Sequence, residues 1–250
     1  HLTVLPTVAA DFPNTLFVML NYVIEASNVA SIVFYEHEGS FLAGALAAMV
    51  VGNNSIPGIS GKKIIGVIGG TKSLGIDKFV VGYKEGAQYI DPEVQVLVAY
   101  SETFSDPAKG RELALAMFNA GADVVYQVAG ATGMGVIQAA KETGKYAIGV
   151  DTDQDYIAPE HVLTSVLKRA DIALYLVIKD YVEGRHPGGK VYHMNLKNNG
   201  VGLSEMKYTR HLIPADYITK LEEIKKKILT EEIKVTDVTG LSKPYSEIDP

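Results

Sequence analysis

Runs that are apolar at nearly every position alternate along the chain with longer segments of helical periodicity. LFVML (16–20) and VASIVF (29–34) come first, followed by a helix predicted near 40–51 and the run KIIGVIGG (63–70). A helix near 75–90 leads to VQVLVAY (94–100), one at 107–120 to DVVYQVA (123–129), and one at 134–143 to YAIGVD (146–151). Further helices are predicted at 169–183 and 214–228. Strands without a polar face are covered on both sides, as in parallel sheets flanked by helices. The predicted fold class is therefore α/β, with doubly wound parallel sheets. Local chemistry supports the helix boundaries. Asp106-Pro107 places an N-cap residue before a proline at the first helical position, and NAG and ETG finish two helices with glycine. VGNNSIPGISG (51–61), rich in Gly, Asn, Ser and Pro, is the clearest break in pattern and reads as a crossing between two lobes.

At 250 residues, 47% of them hydrophobic and 21% charged, the chain can supply two modest cores. The most apolar stretch, FLAGALAAMVVG, is too short to span a bilayer, and residues 1–12 lack the layout of a signal peptide. A net charge of −6 gives no broad attraction for a phosphate backbone despite KKK at 225–227, so nucleic acid is not expected as a partner. Absence of cysteine excludes disulfides and thiol chemistry but leaves the compartment open. The tail after about residue 229 is charged and ends in SKPYSEIDP, whose last residues are expected to fray.

GVDTDQD (149–155) packs three carboxylates into five positions directly after an apolar strand. A helix-loop-helix calcium loop needs glycine at its sixth position and glutamate at its twelfth, where this chain has Tyr156 and Val162. A calcium-dependent nucleoside hydrolase is a second reading of such a cluster. The preferred reading makes Asp151 a clamp for hydroxyl groups, because ligands sit at the carboxyl ends of strands in open α/β sheets. A vicinal diol accepted by one carboxylate points to a sugar. Asp153 and Asp155 read as loop and capping residues. GATGMG (130–135) matches no dinucleotide or Walker fingerprint and reads as a tight strand-to-helix turn lining a cleft, with Gly130 at its head. The six histidines show no metal spacing, and His37 between Glu36 and Glu38 reads as a loop or hinge residue. Ser40 lacks a nucleophile elbow and reads as a helix cap. No metal and no cofactor is expected.

Several stretches together resemble the basic membrane protein family of purine-nucleoside-binding lipoproteins that serve ABC importers. They are NVASIVFYEHEGSFLAGALAAMV (28–50), GVIGG with FVVGYKEGA (66–70, 79–87), ETFSDPAKG through GVDTDQ (102–154) and VLTSVLKRADIALY (162–175). The resemblance implies the periplasmic binding protein type I fold and a purine nucleoside held between two lobes joined by a hinge. The expected lobes are 1–60 with about 162–188, incomplete at its start, and 61–161 with about 189–250. By motif, Phe104 corresponds to a base-stacking aromatic, Asp151 to the ribose-binding aspartate and Lys168 to the ribose-binding lysine. Asn21 stands where the family commonly has an aspartate contacting the base, and an amide both donates and accepts. The family's opening strand and loop have no counterpart in HLTVLPTVAADFPNTLF, so those residues are expected to be missing from the sequence, supplied by another chain or replaced.

The function implied is a substrate-binding protein, not an enzyme, that captures a purine nucleoside for ABC permease subunits. Its expected place is the cell surface or periplasm, touching the membrane only through a lipid anchor outside this chain. A nucleoside hydrolase or phosphorylase, and a cytosolic nucleoside- or sugar-sensing domain, are the alternatives.

Overall fold

The chain crosses between two units three times, after Tyr35, Leu167 and Val201, in a computed structural model that describes residues 2–240. The first unit is His1–Tyr35 with Lys168–Val201, and the second is Glu36–Leu167 with Gly202–Pro250. The expected fraying of SKPYSEIDP lies outside the described residues. In chain order the elements begin with α1 (Leu5–Asp11), β1 (Phe17–Leu20), β2 (Val29–Phe34), α2 (Glu36–Val51), β3 (Ile64–Gly69), α3 (Leu74–Ile90), β4 (Gln95–Tyr100) and α4 (Pro107–Asn119). They continue with β5 (Val124–Val128), α5 (Gly133–Thr143), β6 (Tyr146–Asp151), β7 (Val162–Lys168), α6 (Ala170–Val182), β8 (Val191–Met194), β9 (Val201–Leu203) and α7 (Ala215–Leu229). Among the described residues no helix is long and apolar enough to cross a membrane.

The predicted α/β class is the observed one. In the second unit a six-stranded sheet runs β4-β3-β5-β6-β7-β9, and the registered pairs from β3 to β7 are all parallel. IIGVIG and YAIGV are apolar throughout, and VVYQV is so but for the Tyr126 hydroxyl and Gln127, because both faces are covered. Ile68, Val125 and Ala147 meet α4 and α5 on one face, while Tyr126 on the other packs its ring 5.2 Å from Tyr83 of α3. The helix boundaries follow their chemistry. Asp106 Oδ1 accepts the Lys109 backbone N–H at the start of α4, and Gly144 closes α5 with φ +66°.

The boundary between units differs from the one read in the sequence. Residues 51–61 stay within the second unit, joining α2 to β3, and the chain passes between units at Tyr35–Glu36 instead. The physical reason is α2. Its backbone lies so close to α3 that an added Cβ at Gly44 would stand 2.0 Å from the Tyr83 carbonyl oxygen, and one at Gly86 would stand 1.9 Å from that of Phe41. The 51–61 segment is tied down in the same unit. Ser60 donates from N and Oγ to Asp123 Oδ2, Lys145 Nζ donates to the Gly58 carbonyl, and Tyr146 Oη donates to that of Pro57. Two further readings are corrected. His37 lies buried in the first turn of α2 rather than in a loop, and Ser40 lies inside that helix, within 3.3 Å of Tyr126 Oη, rather than capping it.

The first unit is smaller, with a parallel sheet in the order β1-β2-β8. Its core gathers Ala9, Ile24 and Val29, with Leu5, Phe17 and Met19 against them. Asn28 Nδ2 donates to the carbonyls of Ala9, Phe12 and Thr15, fixing the exit from α1. Apolar side chains remain open to solvent on the edge strand β1, at Val18 and Leu20, and along α6, at Tyr175, Ile178, Tyr181 and Val182.

Candidate functional site

Four strands of the second unit end side by side, and three of the five candidate residues stand at those ends. β3 finishes in Gly69-Gly70, where the Gly70 N–H donates to the Val128 carbonyl of β5. β4 runs into a loop that Ser101 folds back: its N–H donates to the Gly69 carbonyl, and its hydroxyl lies within 3.4 Å of the Gly69, Gly70 and Thr103 carbonyl oxygens. Phe104 follows in that loop. A glycine is needed beneath its ring, since a Cβ at Gly70 would lie 2.0 Å from Phe104 Cε1. The ring is not core material: Phe104 remains 44% exposed.

β5 ends in a 3₁₀ turn, Gly130–Thr132, with Gly130 at φ +57°, a conformation that favours glycine. A Cβ on Gly130 would sit 3.2 Å from the Phe104 carbonyl oxygen, so this turn and the Phe104 loop run against each other. Thr132 joins them: its N–H donates to the Phe104 carbonyl, its hydroxyl donates to that of Thr103, and the same oxygen accepts the Asp106 N–H.

Asp151 is the last residue of β6, exposed, and opposite Leu167 of β7 in the strand register. Its φ of +66° is uncommon for a residue with a side chain, and such strain persists where surrounding bonds enforce it. Its charge reaches the interior. Tyr126, wholly buried, has its hydroxyl pKa held well up, first by burial and further by the carboxylates of Asp151 and Glu36. Asp153 lies in the loop as expected, its Oδ1 accepting the Asp155 N–H, whereas Asp155 is buried at the start of a 3₁₀ turn, Asp155–Ile157, where its Oδ2 accepts the Lys207 N–H. Among the described residues, no three His, Cys, Asp or Glu side chains gather closely enough to hold a metal ion.

The other two candidates fall in the first unit. Lys168 closes β7 one position beyond Leu167, half-buried, with Nζ 5.0 Å from the centroid of the buried Phe34 ring. Asn21 follows β1 with φ +72°, exposed, and its N–H donates to the Ile32 carbonyl. Sequence reading missed Gly70, Ser101, Thr132 and the amide pair Gln127 and Gln154. Gly70 carried a signal, a glycine pair closing an apolar strand; the buried polar residues did not, since their roles depend on partners distant in sequence.

Comparison with known proteins gives the family and the fold. The profile of the Bmp family, described as ABC transporter substrate-binding protein PnrA-like, matches residues 3–239. Basic membrane protein B of Borrelia garinii subsp. bavariensis is 40% identical over 212 residues, covering 83% of this chain and 57% of that protein. The ABC transporter nucleoside-binding protein BmpA of Lactococcus lactis subsp. cremoris is 36% identical over 213 residues, 78% of this chain and 58% of that one. The chain thus spans less than two thirds of the length of either relative. Among solved structures, an ABC transporter solute-binding protein from Aeropyrum pernix K1 superposes with a TM-score of 0.86 at 29% identity, covering 98% of this chain and 77% of that one.

Proposed function

The chain belongs to the Bmp family of PnrA-like ABC transporter substrate-binding proteins, and from that premise we propose that it binds a purine nucleoside and delivers it to an ABC permease. The family is one of binding proteins, not enzymes, and its architecture is the periplasmic binding protein type I fold. The observation that carries the nucleoside reading is the convergence, in one sheet, of Phe104, Gly130 and Asp151 at the ends of β4, β5 and β6. An exposed flat ring offers a stacking platform for a base, worth about 1–3 kcal/mol where such contacts have been measured. A carboxylate at the end of β6, in the same sheet, accepts from both hydroxyls of a ribose. Gly130 keeps the backbone low beside the ring. Lys168 serves as the ribose donor and Asn21 reads the base, roles that rest on their motif match. The Lactococcus relative, whose name records nucleoside binding, supports the ligand class.

The family's role in ABC import supports a place outside the cytoplasm. The lipid anchor in the precursor is inferred from the resemblance to the basic membrane lipoproteins alone. Isothermal titration of ligand-free protein with adenosine, guanosine, inosine, the free bases and ribose tests the reading. Saturable heat is expected with at least one nucleoside and little with ribose alone. Absence of heat with every nucleoside overturns the proposal.

A further inference from the structure

A chain of buried and part-buried hydrogen bonds joins the Gly130 turn to the Asp151 loop, and none of its members is a candidate ligand residue. Gln127, wholly buried in β5, accepts the Ala129 N–H on Oε1 at 3.2 Å and donates from Nε2 to Gln154 Oε1 at 2.7 Å. That same Gln154 oxygen accepts the Val150 N–H at 3.0 Å, and the Gln154 N–H donates to Ser165 Oγ of β7, also at 3.0 Å. The two backbone donors fix which way each amide points. An oxygen must face Ala129 N–H and another must face Val150 N–H, so the Gln127 NH₂ group is left to bridge to Gln154. The fit is close on every side. A Cβ at Gly133 would fall 1.8 Å from Gln127 Oε1, and one at Gly149 would fall 2.6 Å from Gln154 Oε1 and 2.5 Å from Ser165 Oγ.

These bonds bracket Asp151. Val150 before it and Gln154 after it are both held, the Thr152 N–H donates to the Val150 carbonyl, and between them Asp151 occupies its left-handed conformation. At the other end the Ala129 N–H is anchored one residue before Gly130. We propose that Gln127, Gln154 and Ser165 are positioning residues that act through Asp151, holding its carboxylate and the Gly130 turn in the register a nucleoside requires. The inference rests on the nucleoside reading for its ligand and on the hydrogen bonds alone for its geometry.

The test compares full-length Gln154→Leu with Gln154→Glu. Leucine removes the shared acceptor, whereas glutamate keeps an oxygen for both Gln127 Nε2 and Val150 N–H. Gln154→Leu strands both donors and is expected to weaken nucleoside binding by at least about 5-fold, the low end of what a single unsatisfied donor corresponds to. Gln154→Glu should stay within about threefold of the parent, since both donors remain satisfied. In an Asp151→Ala background the leucine substitution should cost clearly less affinity than in the parent, because the share that acts through Asp151 is then already lost and only the share carried by the Gly130 turn remains. Equal losses in both backgrounds, or loss with glutamate as large as with leucine, would overturn the proposal. Amide hydrogen exchange of ligand-free protein supplies the second measurement: Gln154→Leu should speed exchange at residues 129 and 150–154, and Gln154→Glu should restore it. Unchanged exchange with leucine overturns the positioning role. If the parent protein binds no nucleoside, the functional reading fails while the exchange pattern still decides this one.

Discussion

The Phe104 ring lies on Gly70 so closely that a methyl group there would come within 2.0 Å of Cε1 and 2.4 Å of Cζ. The obstructed atoms are the far end of a side chain that can swing toward solvent. Gly70→Ala should therefore displace the ring without unfolding the sheet, and it should mimic Phe104→Ala in binding. Both substitutions are expected to weaken nucleoside affinity about 5- to 150-fold, the equivalent of losing one base–aromatic stack, with thermal midpoints close to the parent's. Calorimetry with the melting curve beside it checks this. Parent-like affinity in both variants would remove Phe104 from the site.

A second expectation concerns the ion pair between Lys78 Nζ and Glu36 Oε2, 2.6 Å apart with side chains 8% and 3% exposed. It ties the first turn of α2 to α3 almost out of water. Lys78→Met takes the ammonium from a carboxylate that stays buried and should destabilise by about 3–5 kcal/mol. Glu36→Gln combined with Lys78→Met should recover most of that loss, because neither side then carries a charge to be desolvated. Urea denaturation of the four proteins of the cycle gives the coupling directly.

Two glycines of α3 offer a contrast within one helix. An added methyl at Gly86 would stand 1.9 Å from the Phe41 carbonyl oxygen, whereas at Gly75 it meets nothing within 4 Å. Gly86→Ala is expected to push the two helices apart at a cost of about 1–3 kcal/mol. Gly75→Ala should be neutral or stabilise by up to about 1 kcal/mol, through the helix propensity of alanine. Equal effects at both sites would mean that α2 and α3 are not in backbone contact.

Stability should also respond to pH through His37. Burial, reinforced by the Lys78 charge and opposed by Asp237 and Glu36, lowers its pKa below the usual 6.5. As pH falls through about 6.5 the unfolded chain binds a proton that the folded one refuses, so stability present above that point is lost until the folded pKa is reached. His37→Gln should flatten the dependence of the urea midpoint on pH between about 7 and 5. Paired carboxylates such as Asp171, pulled down to about 2 beside Arg169, act in a lower window and leave this one clear.

The alternation of apolar runs and helical periods placed β3, β5, β6 and their helices, because strands covered on both faces leave an unmistakable pattern. It did not reveal β7. VLTSVLK carries Thr164 and Ser165 at buried positions, where their polarity is satisfied by Ser204 and Gln154, partners no local window contains. The crossing at Tyr35–Glu36 was equally hidden: a buried helix begins there with two acidic residues and a histidine, and only the approach of α3 shows which unit claims it. Asp151 and the Gly130 turn were legible as strand-end features and Phe104 through the family motif, and the structure sets all three on one sheet, at or after the ends of β6, β5 and β4. The amide network behind them was not, since each bond joins residues brought close only by the completed sheet.

The interrupted path of the second unit sets a timetable for its synthesis. β7 pairs on its outer side with β9, whose residues 201–203 follow an excursion of 33 residues, from Lys168 to Gly200, through the other unit. While a ribosome adds that length, the emerging sheet presents β7 as a temporary open margin able to pair with a neighbouring nascent chain. Chaperone demand should therefore peak before residue 203 leaves the exit tunnel and subside once the margin is sealed.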